Sequence, residues 1–340
     1  MNKYLYCFFI LLLFPLSGCQ NKTSTKFPIT ERINIYKTDK TDIFLGLPID
    51  MQFKNKNIYI SDFYGDSLLT RYNINTGLIN KFGTKGIGPN EILPPTTITV
   101  KDDKLYAFSK SNFKFGYFKL PSNEEKIIQQ NNYRFLFTPL SQTTEIVPLS
   151  DNNFLSSGYY KESRYAILDK NGSILHLFGE YPDFCESEKE RPFEVKAMFH
   201  QVIFEPNYRL QKVVAISNYI MDIIDYSNHD FKYQRILLNN YNYDFHSGDI
   251  LQAKKSKTTP KGIISVSVSD NFIYTLFNPN SDSNEKLNNE IWIFDWTGKA
   301  IKKIITNINI NLIVIDSDSS IYGITATEDP YIVNMKFDDF

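Results

Sequence analysis

The chain is 340 residues long, with 37 Lys and Arg against 38 Asp and Glu and a formal net charge of −1. That balance offers no electrostatic case for nucleic acid as a partner. A composition of 42% hydrophobic and 22% charged residues is that of a globular protein, and an aromatic share of 15% suits β-structure.

The first element is N-terminal. Lys3 precedes an apolar run over residues 5–16, followed by Ser17, Gly18 and Cys19. This is the layout of a secretory signal, and the run is shorter than the ~20 apolar residues of a membrane span. The tetrad Leu16-Ser17-Gly18-Cys19 resembles the lipobox of bacterial lipoproteins. The resemblance implies cleavage before Cys19, a diacylglycerol on its thiol and acylation of the new amine. Two or more acyl chains anchor stably where one does not. An ordinary signal peptide with an incidental cysteine is the competing reading. Residues 1–18 are thus expected to be a signal peptide, 19–31 a lipidated N-terminus with a polar tether, and 32–340 the folded domain. Gln20 and Asn21 are not acidic, which favours a periplasm-facing anchor in the cell envelope over the outer surface. With Cys7 removed and Cys19 acylated, Cys185 has no disulfide partner, and no Cys/His cluster offers a zinc site.

From residue 49 one phrase recurs six times: an alternating apolar strand, a polar turn, then a second strand. The copies fall at 49–62, 98–109, 145–158, 202–217, 264–277 and 312–325. Their second strands, anchored on Ile58, Leu105, Phe154, Val213, Ile273 and Ile321, are spaced 47 to 60 residues apart. A third strand follows (68–74, 164–169, 290–295), then a turn ending at Gly77, Gly172 or Gly298, then a fourth strand (78–83, 174–179, 300–305). Glycine there supplies the positive φ of a tight hairpin turn. Four antiparallel strands at this period predict a propeller blade, and six copies predict six blades. The strongest helix candidate is a short stretch over residues 191–199. The sixth copy lacks its fourth strand, and residues 32–37 have no other home. They are expected to add to the last blade and close the ring, removing an open edge. Tyr59, Tyr106, Tyr274 and Tyr322 recur at one position of the second strand and read as packing between blades.

Residues 79–109 resemble the junction of NHL-type repeats: a strand ending Phe-Gly, a Gly-rich turn, a Pro-led strand and an acidic turn. Over nearly the whole mature chain the sequence resembles the six-bladed TolB-like propeller lipoproteins of bacteria. The G-x-G-P-x-E core, Gly86 to Glu91, is its most specific piece. The resemblance implies an all-β six-bladed fold of four-stranded antiparallel blades, and no defined activity.

The stretch Lys81 to Pro95 could be mistaken for a phosphate loop. It has no Gly-Lys-Ser/Thr, and it leads into a strand, not a helix N-terminus. It reads as the bridge between blades one and two. Long insertions at 180–200, 239–262 and 278–290 fall on the same side as that bridge, where function gathers. Candidate binding residues on this top face are Lys85, Asn90 and Glu91 of the bridge, Glu188 and Arg191 of the first insertion, and Asp282 and Glu285 of the third, against solvated decoration as the competing reading. For Asn90 and Glu91 hydrogen bonds that staple the turn are the stronger reading, and for the run 186–191 a solvated loop. The basic run 253–261 could touch phosphate or anionic lipid, with a solvated loop the stronger reading. His176, His200, His229 and His246 lie in different units without metal-ligand spacing, and no nucleophile motif is visible. Two function classes follow. The first is a membrane-anchored monomer whose propeller binds an envelope protein, peptide or glycan, with no catalytic residue, metal or cofactor. The second is a metal-dependent hydrolase or lyase of the lactonase type, with calcium at the channel mouth and Asp50 and Glu205 on first strands as partial mimics of its ligands.

Overall fold

The computed structural model describes residues 25–337 except 36–42, 122–127, 130–131, 151, 162, 183–190, 229, 239–242, 247–251, 256 and 282–288; residues 243–246 and 252–255 are described as backbone. The alternating phrases form the predicted strands. Blade one is β2 (Pro48–Lys54), β3 (Asn57–Asp62), β4 (Leu69–Asn73) and β5 (Ile79–Phe82). Blade two is β6 (Thr96–Lys101), β7 (Lys104–Ser109), β8 (Lys114–Lys119) and β9 (Tyr133–Phe137). Blade three is β10 (Thr143–Pro148), β11 (Phe154–Gly158), β12 (Tyr165–Leu168) and β13 (Ile174–Phe178). Blade four is β14 (Ile203–Asn207), β15 (Lys212–Ser217), β16 (Ile220–Asp225) and β17 (Lys232–Leu237). Blade five is β20 (Gly262–Val268), β21 (Phe272–Asn278), β22 (Glu290–Asp295) and β23 (Ala300–Thr306). Blade six has β24 (Ile310–Ser317), β25 (Ser320–Thr325) and β26 (Ile332–Lys336). Each is an antiparallel meander. A short helix α1 (Phe193–Phe199) precedes blade four, and a hairpin of β18 (Tyr243–His246) and β19 (Gln252–Lys255) precedes blade five.

The first strands of the blades line the centre, and each contacts the next around the ring, β24 closing on β2. Six apolar clusters fill the six wedges between neighbouring blades. The recurrent tyrosines sit in these wedges: Tyr59, Tyr106 and Tyr274 are buried there, and Tyr322 stacks on Phe53 across the closing wedge at 6.0 Å. The fit is tight. At Gly298, whose φ is +79°, an added Cβ would lie 1.8 Å from Ile236 Cδ1 of blade four.

A central strand has one edge without a ladder partner, so its N–H groups need acceptors. Polar side chains of the preceding blade provide them. The Ile98 N–H donates to Asp50 Oδ2 (2.7 Å) and the Val100 N–H to Gln52 Oε1 (3.4 Å). The Ile313 and Ile315 N–H groups donate to the Ser265 and Ser267 hydroxyls, both at 3.2 Å. Each of these pairs is 48 residues apart, one blade.

Closure by an N-terminal strand is present, with a different address from the expected one. β1 (Ile29–Ile33) begins before residue 32 and runs parallel to β23, making blade five a five-stranded sheet. Glu31 meets the nearly buried Lys302 ammonium at 2.6 Å, which fixes this choice of edge. The chain then crosses to the last wedge, where Ile35 is bonded through its N–H to Asn307 Oδ1 (2.8 Å) and packs between blades five and six. The predicted segment 32–37 thus ties the two last blades together instead of completing the sixth. Its last two residues lie outside the described part.

Candidate functional site

All first strands start at one end of the ring, so the links between blades and the β3–β4 type of loop share a top face. The turns between first and second strands share the bottom.

Within the channel three carboxyls come from blades one, three and four. Asp50 accepts from its neighbour Met51 (2.8 Å) as well as from Ile98 (2.7 Å). Glu205 reaches across the channel to Gln52 Nε2 at 3.0 Å. Glu145 accepts from Thr97 Oγ1 (2.6 Å) and pairs with Lys110 (3.1 Å). Asp50 and Glu205 are half-buried. Burial pushes Asp50 up to about 7, against its two backbone bonds and with help from Glu145. Burial likewise pushes Glu205 up to about 8, against the Gln52 bond and with help from Asp50. These donors fit a calcium ion poorly. Calcium takes six to eight oxygens from ionised carboxylates, carbonyls and water. Here Asp50 spends both oxygens on backbone N–H groups, and Glu205 engages the Gln52 amide. Among the described residues no three His, Cys, Asp or Glu side chains converge as metal ligands.

The top face is built differently. Asp62 ends β3 with its side chain turned in, accepting from the Gly46 and Leu47 N–H groups (both 2.7 Å) and from Tyr64 and Gly65 (both 3.2 Å). One carboxylate thus joins the lead-in to blade one to its β3–β4 loop. The Gly-rich bridge continues the cluster. The Lys85 ammonium donates to the Phe63 carbonyl (2.8 Å) and to that of Gly65. Glu91 Oε2 accepts from the Gly88 N–H (2.9 Å), and a Cβ at Gly86 would lie 2.0 Å from that oxygen. Lys114 caps the loop from blade two, donating to the carbonyls of Ile87, Gly88 and Glu91. Lys85 and Glu91 are therefore held inside the bridge, while Asn90 and Ile87 at its tip face solvent.

Arg191 lies half-buried just ahead of α1, which covers the predicted helical stretch and buries Val195 and Ala197. Glu188, Asp282 and Glu285 lie outside the described residues, as do Cys19, Cys185 and the residues before 25. His176 is on an outer strand, stacked on Phe178 and Phe231, and His200 is buried.

Exposed apolar side chains separate the two faces. Among the described residues, thirteen large hydrophobics are strongly exposed. Six lie on outer strands, and the other seven, Phe44, Leu47, Tyr64, Ile87, Leu140, Met198 and Ile203, lie on top-side segments. None lies on a bottom turn. Sequence reasoning missed this rim because it weighed charged residues of the loops and not their apolar ones. It also missed a buried network between blades three and four. Asp222 takes Arg164 Nη1 (2.6 Å), Arg235 Nε and Nη2 (both 2.9 Å) and the Tyr165 hydroxyl (2.6 Å). Burial would raise this carboxyl, but the two guanidiniums overcome it and hold it below its ordinary value.

A family model described as TolB-like 6-blade propeller-like matches residues 27–318. No curated protein matches the sequence. Solved structures that resemble it do so at low identity. A protein described as exported, from Bacteroides fragilis, is 13% identical with a TM-score of 0.53 over 92% of this chain and 99% of its own. A member of the DUF4221 family from Bacteroides vulgatus is 10% identical with a TM-score of 0.55 over 89% and 94%. A calcium-binding protein, regucalcin, from Agrobacterium tumefaciens is 8% identical with a TM-score of 0.51 over 90% and 95%. At these identities the likeness is one of fold.

Proposed function

This chain belongs to the TolB-like six-blade propeller family, and from that premise we propose that it is a lipid-anchored binding module of the bacterial cell envelope, without chemistry of its own. Cys19 carries the anchor and the propeller faces the periplasm. The top face takes a protein, peptide or glycan partner. One observation carries the reading: exposed apolar side chains crowd the top-side segments and spare the bottom turns. Exposed apolar side chains gathered on one face and absent from the turns of the other favour that face for a partner. The channel carboxyls, by contrast, serve the ring. Asp50 caps the free edge of β6, and Glu205 braces Gln52 from the opposite side.

The test is cross-linking in the protein's own envelope, comparing wild type with a Phe44→Ser, Tyr64→Ser, Ile87→Ser variant. A partner captured by wild type and lost by the folded variant supports the top face; equal capture sinks it. Cys19→Ala should move the protein from the membrane to the soluble fraction, and continued membrane association would refute the anchor. Calcium should leave thermal unfolding unchanged, and a stoichiometric ion with turnover of lactones or esters would overturn the non-catalytic reading.

A further inference from the structure

Arg71 is in the middle of β4, paired with Tyr59 of β3, on the side of blade one that packs against blade two. It is only 1% exposed, yet its Nε and Nη2 have no hydrogen-bond partner. These two nitrogens form one edge of the guanidinium. That edge is the fork that takes a carboxylate or phosphate through two parallel bonds. A buried cation left unpaired is strongly unfavourable, so an anion is the natural complement.

There is room for one. A cavity of about 230 Å³ opens at the bottom of the wedge between blades one and two, with Arg71 and Lys54 as its cations. Tyr59, Leu120 and Pro121 supply apolar wall. For scale, an apolar cavity of about 150 Å³ accepts benzene. Asn57 also lines it, but its amide is committed, donating to the Asn55 carbonyl and accepting from Asn73. The acids of the rim do not serve Arg71. The Asp102 side chain is 74% exposed and pairs with Lys101 at 3.0 Å. The Asp103 side chain is 57% exposed and faces Lys119 at 3.9 Å. Lys54, on the pocket wall, donates to the Asp102 carbonyl.

We propose that this pocket binds a small carboxylate, paired with the Arg71 guanidinium that lines it, with Lys54 at the mouth. A single negative charge matches the single buried cation. Asp102 and Asp103 at the rim disfavour a phosphate dianion. The pocket is on the face opposite the apolar rim, so it stands apart from the partner-binding reading and needs no partner for its test.

Acetate, succinate and, as a third arm, inorganic phosphate are titrated into the purified whole chain, followed by calorimetry and thermal unfolding. Either carboxylate should raise the melting temperature, and phosphate should bind more weakly. Arg71→Met should weaken carboxylate binding by about tenfold or more, the loss of charge-assisted hydrogen bonds. It should fold at least as well as wild type without ligand, because it removes an unpaired buried charge at similar length. Lys54→Ala, which leaves Arg71 in place, should weaken binding by a smaller factor. The proposal is overturned by no response to either carboxylate, by an equal response in Arg71→Met, or by tighter binding of phosphate. A large loss of stability in unliganded Arg71→Met would also overturn it, since it would give Arg71 a structural partner.

Discussion

Asp222 shows how much a single residue holds in this fold. Its carboxylate is fully buried and pairs with both Arg164, also fully buried, and the largely buried Arg235. Replacing it with Asn leaves two guanidiniums facing a neutral amide. Breaking a buried pair costs about 3–5 kcal/mol, so Asp222→Asn should lower the unfolding free energy by that order, read as a lower denaturant midpoint at an unchanged slope. The pH dependence follows from the depressed carboxyl. Its stabilisation is present above the ordinary Asp value and is lost as pH falls through the lower folded value. Asp50 and Glu205 act in the opposite sense. Their folded carboxyls, near 7 and 8, lie above the ordinary 3.8 and 4.5, so the folded chain holds more protons. Their contribution is full below those ordinary values and declines as pH rises through 7 and 8. Stability should therefore peak on the acid side of neutrality. Glu205→Gln, which keeps an acceptor for Gln52, should flatten the decline and stabilise the protein at alkaline pH. Each tenfold change in proton affinity is worth about 1.4 kcal/mol, and a thermal-unfolding series from acid to alkaline pH reads it. An unchanged slope in Glu205→Gln would mean that this carboxyl is hydrated. Of these residues, only Asp50 and Glu205 were legible in the sequence. Asp222 was visible as an acid inside the apolar run Ile220 to Ile224, but its partners are 13 and 58 residues away. No local pattern joins them.

At the scale of elements the sequence was most legible where strands repeat. Every predicted second strand is present, because alternation, polar turns and glycines point to the same hairpins. The Gly-rich bridge was also placed correctly, since a crossing that needs Gly86 against Glu91 leaves a local mark. β1 was read less well. Alternation tells that a strand exists, not which edge it joins, and the missing fourth strand of blade six pointed to the wrong neighbour. The deciding contact is Glu31 with Lys302, an ion pair separated by nearly the whole chain. The Lys302 side chain is 4% exposed and that of Glu31 26%, so the pair is between the surface and buried limits. Glu31→Gln should cost about 2 kcal/mol on that scale and loosen β1 first. Hydrogen exchange should quicken in β1 and the outer edge of β23 before the central strands. Exchange that is unchanged in β1 would show that main-chain pairing alone holds it.

For the whole molecule the inter-blade contacts decide whether blades act singly or together. Each blade buries its faces only against its neighbours, and the central strands are capped from one blade to the next at the 48-residue offset. Blade six shares one apolar cluster with blade five and another with blade one. Removing residues 310–337 would expose both clusters and leave the Ser265 and Ser267 hydroxyls without the N–H groups they cap. Such a truncation should give no cooperative unfolding transition, whereas the intact chain should unfold in a single step by circular dichroism and tryptophan fluorescence alike. Coincident transitions would tie the two faces into one rigid body, as a binding module needs. The loops carrying Phe44, Tyr64 and Ile87 can present one fixed surface only if the wedges beneath them do not open independently. Separate transitions for the two probes would instead mean that blades one and two, which carry that surface, can loosen while Trp292 and Trp296 of blade five stay packed.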